Sequence, residues 1–123
     1  MFTWEAARHI QYHKKMEKHG VKVWDYADES AEVSVNGSLR AWAPDWDAAK
    51  RIAAETDGAV AEIEAYCYIC GLRELDQAGV KIHDFSDDQV EFSVCGGARM
   101  WKTDWYAAKA VEAETDVGEA NGL

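Results

Sequence analysis

Three cysteines and four histidines are the residues best suited to metal or redox chemistry in this 123-residue chain. Cys67 and Cys70 form a CxxC pair, and His83 and Cys95 follow downstream; together they could form a Cys₃His zinc site. The pair falls inside a predicted helix, however, where i, i+3 cysteines share one face and pack as small apolar residues. A redox CxxC stands instead after a strand, at a helix start. His9 and His13 have the i, i+4 spacing of a two-histidine clamp, but Ile10 and Gln11 stand between them where the metalloprotease motif needs Glu. Nucleophile elbows and phosphate loops are absent from the sequence. No catalytic residue and no cofactor are expected.

Acids give a stronger pattern. Asp25, Asp28, Glu29 and Glu32 recur 59 residues later as Asp84, Asp87, Asp88 and Glu91. The run lacks the glycine of a calcium loop, which leaves two readings. One is a solvated, Asp-rich turn. The other is a pair of acidic hairpins that imitate the phosphates of a nucleic acid and enter a basic groove on another protein. Arg40 with Trp42, and Arg99 with Trp101, add an aromatic and arginine patch to each copy. Such a patch is either a binding hot spot or the surface by which two thin units bury each other.

The acids recur because the chain is duplicated. Residues 20–57 match residues 79–116 without a gap, with 20 of 38 positions identical, Gly20/Gly79, Arg40/Arg99 and Trp42/Trp101 among them. Each copy reads helix, strand, strand, strand, helix. In the second, Ala65, Ile69, Leu72 and Leu75 recur at helical spacing before Gly79. Val80 and Ile82 then alternate with polar neighbours, as do Val90, Phe92 and Val94, with a turn from Asp84 to Gln89 between them. Gly96-Gly97 and Asn36-Gly37 mark the next hairpins, and Pro44-Asp45 and Thr103-Asp104 open the closing helices. Alternation turns Val21, Val23, Val33 and Val35 toward the helices. It sends Trp24, Tyr26 and Ser34 the other way, with counterparts His83, Phe85 and Ser93. Trp46 and Trp105 are expected to be buried under the closing helices, on the stripes of Ala49/Ile52 and Ala108/Val111.

The predicted fold is therefore α+β: two tandem homologous α-β-β-β-α units, 1–59 and 60–118, packed with pseudo-twofold symmetry, and a frayed tail over 119–123. Composition agrees with a folded chain, being 48% hydrophobic and 29% charged. No apolar run approaches the ~20 residues of a membrane span. The first residues, MFTWEAARHIQYHKK, carry no apolar signal core, so a cytoplasmic location is expected. Net charge is -10, unevenly placed. Residues 1–22 hold five bases against two acids, and the remainder eight bases against 21 acids. The basic first helix could dock an acidic partner or pair with the protein's own acids.

The order helix, three strands, helix resembles the double-stranded-RNA-binding domain. DWDAAKRIAAE and DWYAAKAVEAE stand where that family carries lysines before an Ala-rich stretch. The resemblance implies the topology of each unit. Its chemistry does not carry over: Asp45, Trp46 and Asp47, and Asp104, Trp105 and Tyr106, replace the phosphate-gripping lysines. As a class, a short, acidic, cysteine-poor chain without catalytic motifs is similar to the small inhibitors that phages encode against host defences, anti-CRISPR proteins among them. That resemblance implies a non-enzymatic protein in the host cytoplasm, whose partner is a larger basic protein or nucleoprotein complex and which does not itself bind nucleic acid. The alternatives are a nucleic-acid-binding module using the basic first helix and exposed aromatics, and a zinc-stabilised accessory domain.

Overall fold

The computed structural model describes the backbone of residues 1–121 and the side chains of residues 1–115. The order of elements is α1 (Thr3–Lys18), β1 (Val21–Tyr26), β2 (Ser30–Val35), β3 (Ala41–Pro44), α2 (Asp45–Glu55), α3 (Glu62–Gln77), β4 (Val80–Phe85), β5 (Gln89–Val94), β6 (Met100–Thr103) and α4 (Asp104–Asn121). This is an α+β protein with two three-stranded antiparallel sheets, ordered β1-β2-β3 and β4-β5-β6. The expected tail over 119–123 begins within α4, and residues 122–123 lie outside the described residues.

Helix α1 is terminated by Gly20, two residues beyond its end, whose left-handed φ of +73° suits a residue without a side chain. The Gly20 carbonyl accepts the Asn36 N–H at 2.9 Å, and a Cβ on Gly20 would meet Asn36 Oδ1 at 2.0 Å. Gly79 ends α3 in the same way, its carbonyl accepting from the Cys95 N–H at 2.8 Å. The closing helices also start alike. The first N–H of α2, on Asp45, donates to the Glu29 carbonyl at 3.0 Å, and that of α4, on Asp104, donates to Asp88 at 3.2 Å. Each β-hairpin turn thus satisfies one of the orphan donors of a helix start. At α2 this replaces a side-chain cap, because the preceding residue is Pro44.

Both sheets carry the same irregularity. Val23 pairs with Val33 but Asp25 pairs with Glu32, so Trp24 is the extra residue of a β-bulge; Ile82, Asp84 and the skipped His83 repeat it. One inserted residue reverses the side-chain alternation beyond it. Tyr26 and Phe85, expected on the outer face, pack against the helix-side cores instead. The strands also run through Tyr26 and Phe85, so the turn expected from residue 84 begins two residues later.

The chain forms two compact units, and their boundaries fall inside helices rather than between repeats: residues 12–73 make one, and residues 1–11 with 74–123 the other. In the first, Val21, Ala31, Val33 and Val35 of the sheet pack with Ala48, Ala49 and Ile52 of α2, Met16 of α1, and Ala65 and Ile69 of α3. In the second, Val80, Val90, Phe92 and Val94 pack with Ala107, Ala108 and Val111 of α4, Leu75 of α3, and Ala6 and Ile10 of α1.

The tryptophans at the helix starts are not core residues. Trp46 is 41% exposed and Trp105 51% exposed, which corrects the expectation of burial. The buried stripe runs through Ala48, Ala49 and Ile52, and through Ala107, Ala108 and Val111; small alanines let each helix approach its sheet closely and leave no room for an indole. Trp46 lies at the margin, its ring edge-on to Tyr66 at 5.2 Å. Trp46→Ala should therefore cost only about 1 kcal/mol, the scale of one aromatic pair, in a thermal melt. A loss of about 3 kcal/mol or more would restore it to the core.

Candidate partner-binding surface

The repeated acids occupy the β1–β2 and β4–β5 hairpins. Ala27 donates to the Ser30 carbonyl at 2.9 Å and Ser86 to Gln89 at 3.0 Å, closing turns with Asp28-Glu29 and Asp87-Asp88 at their centres. All four side chains are exposed. Asp25 and Asp84 stand just before the turns, also exposed, each accepting the next backbone N–H at 2.8 Å. Glu32 and Glu91 are half-buried. Their cross-strand neighbours are Asp25 and Trp42 in one sheet, and Asp84 and Trp101 in the other.

The adjacent row of the β1–β3 sheet is built around the bulge. Trp24 Nε1 donates to Ser34 Oγ at 2.9 Å, while Lys22 Nζ and Arg40 Cζ lie 3.9 and 3.7 Å from its ring centroid. Cations at that range are attracted by the face of the indole. Arg51 of α2 sets the position of Arg40: its guanidinium donates to the Leu39 carbonyl at 2.7 Å and to Ser38 Oγ at 3.0 Å, just ahead of Arg40. Trp24 and Trp42 remain 40% and 51% exposed, so this face is not buried. In the β4–β6 sheet, His83 takes the place of Trp24 with Nε2 2.9 Å from Ser93 Oγ, and Arg99 and Trp101 are exposed. Each unit therefore holds six of the twelve predicted partner-binding residues, on one hairpin, its neighbouring strand and the arginine just before that strand. Lys22 was not among them, although its alternation with Val21 and Val23 places it opposite Ser34.

The four residues of the zinc alternative are divided between the two units. Cys67 and Cys70 lie on α3 in one unit, His83 faces Ser93 in the other, and Cys95 Sγ approaches the Ala78 carbonyl at 3.8 Å. Among the described residues, no group of three or more His, Cys, Asp or Glu side chains is placed to hold a metal. Burial pushes the Cys70 thiol pKa up, against a hydrogen bond from Tyr66 that lowers it, which disfavours the reactive thiolate.

Part of the basic first helix is committed to the protein's own acids. Lys15 Nζ sits 2.6 Å from Glu64 and His9 Nε2 3.0 Å from Glu74, and Lys14 is buried. Arg8 lies over the exposed Trp4 ring at 5.3 Å. His13 of the same helix and Glu64 carry a pH dependence. Burial lowers the His13 pKa, against a raising effect of Glu17, so the folded state favours neutral imidazole. The hydrogen bond from Lys15 leads the lowering of the Glu64 pKa. Both pKa values are depressed on folding, so both contributions are present at neutral pH. The first is lost as pH falls below about 6.5, where the unfolded chain takes up the proton, and the second as pH falls through the carboxylate range. A His13→Asn variant whose melting temperature changes between pH 7 and pH 5 just as that of the wild type does would contradict the His13 part of this.

Among the described residues, no helix is long and apolar enough to cross a membrane. No family model, curated protein or solved structure matches the chain.

Proposed function

We propose that this chain is a non-enzymatic, acidic inhibitor that occupies a basic, nucleic-acid-binding site on a larger protein or nucleoprotein, acting in the cytoplasm in the manner of phage-encoded anti-defence proteins. The observation that carries the reading is the doubled hairpin tip: Asp28-Glu29 and Asp87-Asp88 project exposed carboxylates from turns of matching construction. A solvated turn needs one or two polar residues of any kind. Retaining acids at four of four such positions in a chain of net charge -10 adds self-repulsion, which an interaction with a cationic surface relieves. The flanking Trp42 and Trp101, half-exposed across from Glu32 and Glu91, supply the aromatic anchors that dominate binding energy at interfaces.

One observation favours a second reading, a nucleic-acid-binding module: Trp24 with Lys22 and Arg40 combines an exposed indole with two cations, the elements of a base-stacking platform. One experiment separates the two. The protein is immobilised and challenged with the heparin-binding fraction of a host lysate, and separately with labelled single-stranded and duplex DNA. The inhibitor reading expects capture of a basic protein that added duplex DNA displaces, with no retention of free DNA. Retention of the DNA alone supports the second reading. Capture that DNA cannot displace contradicts the first.

A further inference from the structure

We infer that a single repeat of this chain has no folded monomeric state, and that the partner it requires is a second copy of the same repeat, with which it exchanges the first half of its opening helix. The inference comes from the two cores, each taken by itself. Under the 59-residue shift of the duplication, Ala6 becomes Ala65, Ile10 becomes Ile69, Met16 becomes Leu75 and Val21 becomes Val80. If each repeat folded on itself, Ala6, Ile10 and Met16 would all pack on the β1–β3 sheet. Met16 does, but Ala6 and Ile10 belong to the core of the β4–β6 sheet. Reciprocally, Leu75 packs on its own β4–β6 sheet, while Ala65 and Ile69 complete the core of β1–β3. The same positions are buried in both units, and in both the first half of the helix comes from the other repeat.

A second, independent observation concerns the helix ends. The Val60 N–H donates to Thr56 Oγ1 at 3.2 Å, tying the entry of α3 to the end of α2, four residues apart in the chain. Shifted by 59 residues, that pair is Met1 and Thr115, where the N-terminal ammonium donates to Thr115 Oγ1 at 3.3 Å across 114 residues. Thr3 reinforces this end by donating its N–H and its hydroxyl to Glu112 of α4. The start of α1 therefore meets the end of α4 through the contact that joins α3 to α2. The connector of residues 56–61 links two elements that side-chain contacts hold together without it at the other end. That pattern describes two equivalent chains fused into one, and exchange of an identical element is a low-cost route to such a dimer.

The apolar stakes decide the matter. Ala6, Ile10, Ala65 and Ile69 are each at most 4% exposed. A lone repeat would leave one such pair in water and the sheet position that it covers empty, in a unit already too small to bury much.

The test uses the full chain with a specific protease site placed between Gly58 and Ala59, both exposed on the connector. After cleavage, native mass spectrometry should show the two fragments as one complex with the mass of the whole protein. The fragments are then separated in urea. Each alone should gain helical circular dichroism only in proportion to self-association, its midpoint moving with concentration, and its folded mass by sedimentation should be twice its own. Mixing the fragments at equal concentration should restore the native spectrum. A folded, concentration-independent monomer from either fragment overturns the inference, as does failure of the mixture to refold. On the intact chain, Ile10→Ala should shift the methyl resonances of Val80, Val90 and Val94 more than those of Val21, Val33 and Val35, and Ile69→Ala should do the reverse. The opposite assignment also overturns it.

Discussion

Arg73→Ala is expected to lower the stability of the protein by about 3–5 kcal/mol, the scale for removing one partner of a buried ion pair. Arg73 reaches from α3 with 11% of its side chain exposed, and its two terminal nitrogens each lie 2.5 Å from an Asp45 oxygen in a fork-to-fork pair. The same guanidinium donates through Nε to the Ala27 carbonyl at 2.7 Å and through Nη2 to the Ser30 carbonyl at 2.9 Å. One side chain thus holds the two ends of the β1–β2 turn and the first residue of α2. Deleting it leaves Asp45, only 13% exposed, without its counter-ion at a helix start, and frees the turn that carries Asp28 and Glu29. In a chain of this length the loss should appear as a fall of about 10–20 °C in melting temperature. Arg73→Lys should recover little, because an ammonium cannot reproduce the planar fork that meets a carboxylate and two carbonyls at once. A change below about 1 kcal/mol would show that water replaces the clamp at no cost.

The clamp marks a limit of what the amino-acid order discloses. The duplication, the three strands of each repeat and the glycine stops were legible because period-2 alternation and left-handed turns are local properties of a few residues. Tyr26 and Phe85 were misplaced because a bulge adds one residue, and nothing in the alternation of VKVWDY or VKIHDF shows where the parity breaks. Trp46 and Trp105 lie outside the core although their apolar character predicts depth; the alanines beside them control how near helix and sheet can come. Arg73 carried no signal, since its partners lie 28 to 46 residues away. Among the site residues, the exposed acids were found because their spacing repeats. Lys22 carries no such signal, because an isolated lysine on a strand reads as a solvated edge and its place over the Trp24 ring is visible only in the structure.

The largest functional effect is expected from neutralising the hairpin tips. Asp28→Asn, Glu29→Gln, Asp87→Asn and Asp88→Asn together remove four charges. The backbone is untouched, including the Glu29 and Asp88 carbonyls that accept the first N–H of each closing helix. Exposed substitutions of this kind usually change stability by no more than ~0.5 kcal/mol each, and relief of self-repulsion acts in the opposite sense to any loss. Binding should respond differently. Long-range attraction between a net -10 chain and a cationic groove guides encounter, so its removal acts on the association rate more than on the dissociation rate.

The measurement that bears most directly on the proposed function is therefore the association rate of this four-amide variant with the basic protein captured by the immobilised chain, taken beside the wild type as ionic strength is raised. At about 20 mM salt the variant should associate roughly 10- to 100-fold more slowly, with a melting curve that overlays the wild type. The two rates should converge above about 0.5 M salt, where screening acts over a few ångströms. Equal association rates at low ionic strength would contradict charge mimicry and leave the Trp24, Lys22 and Arg40 face as the surface that binds.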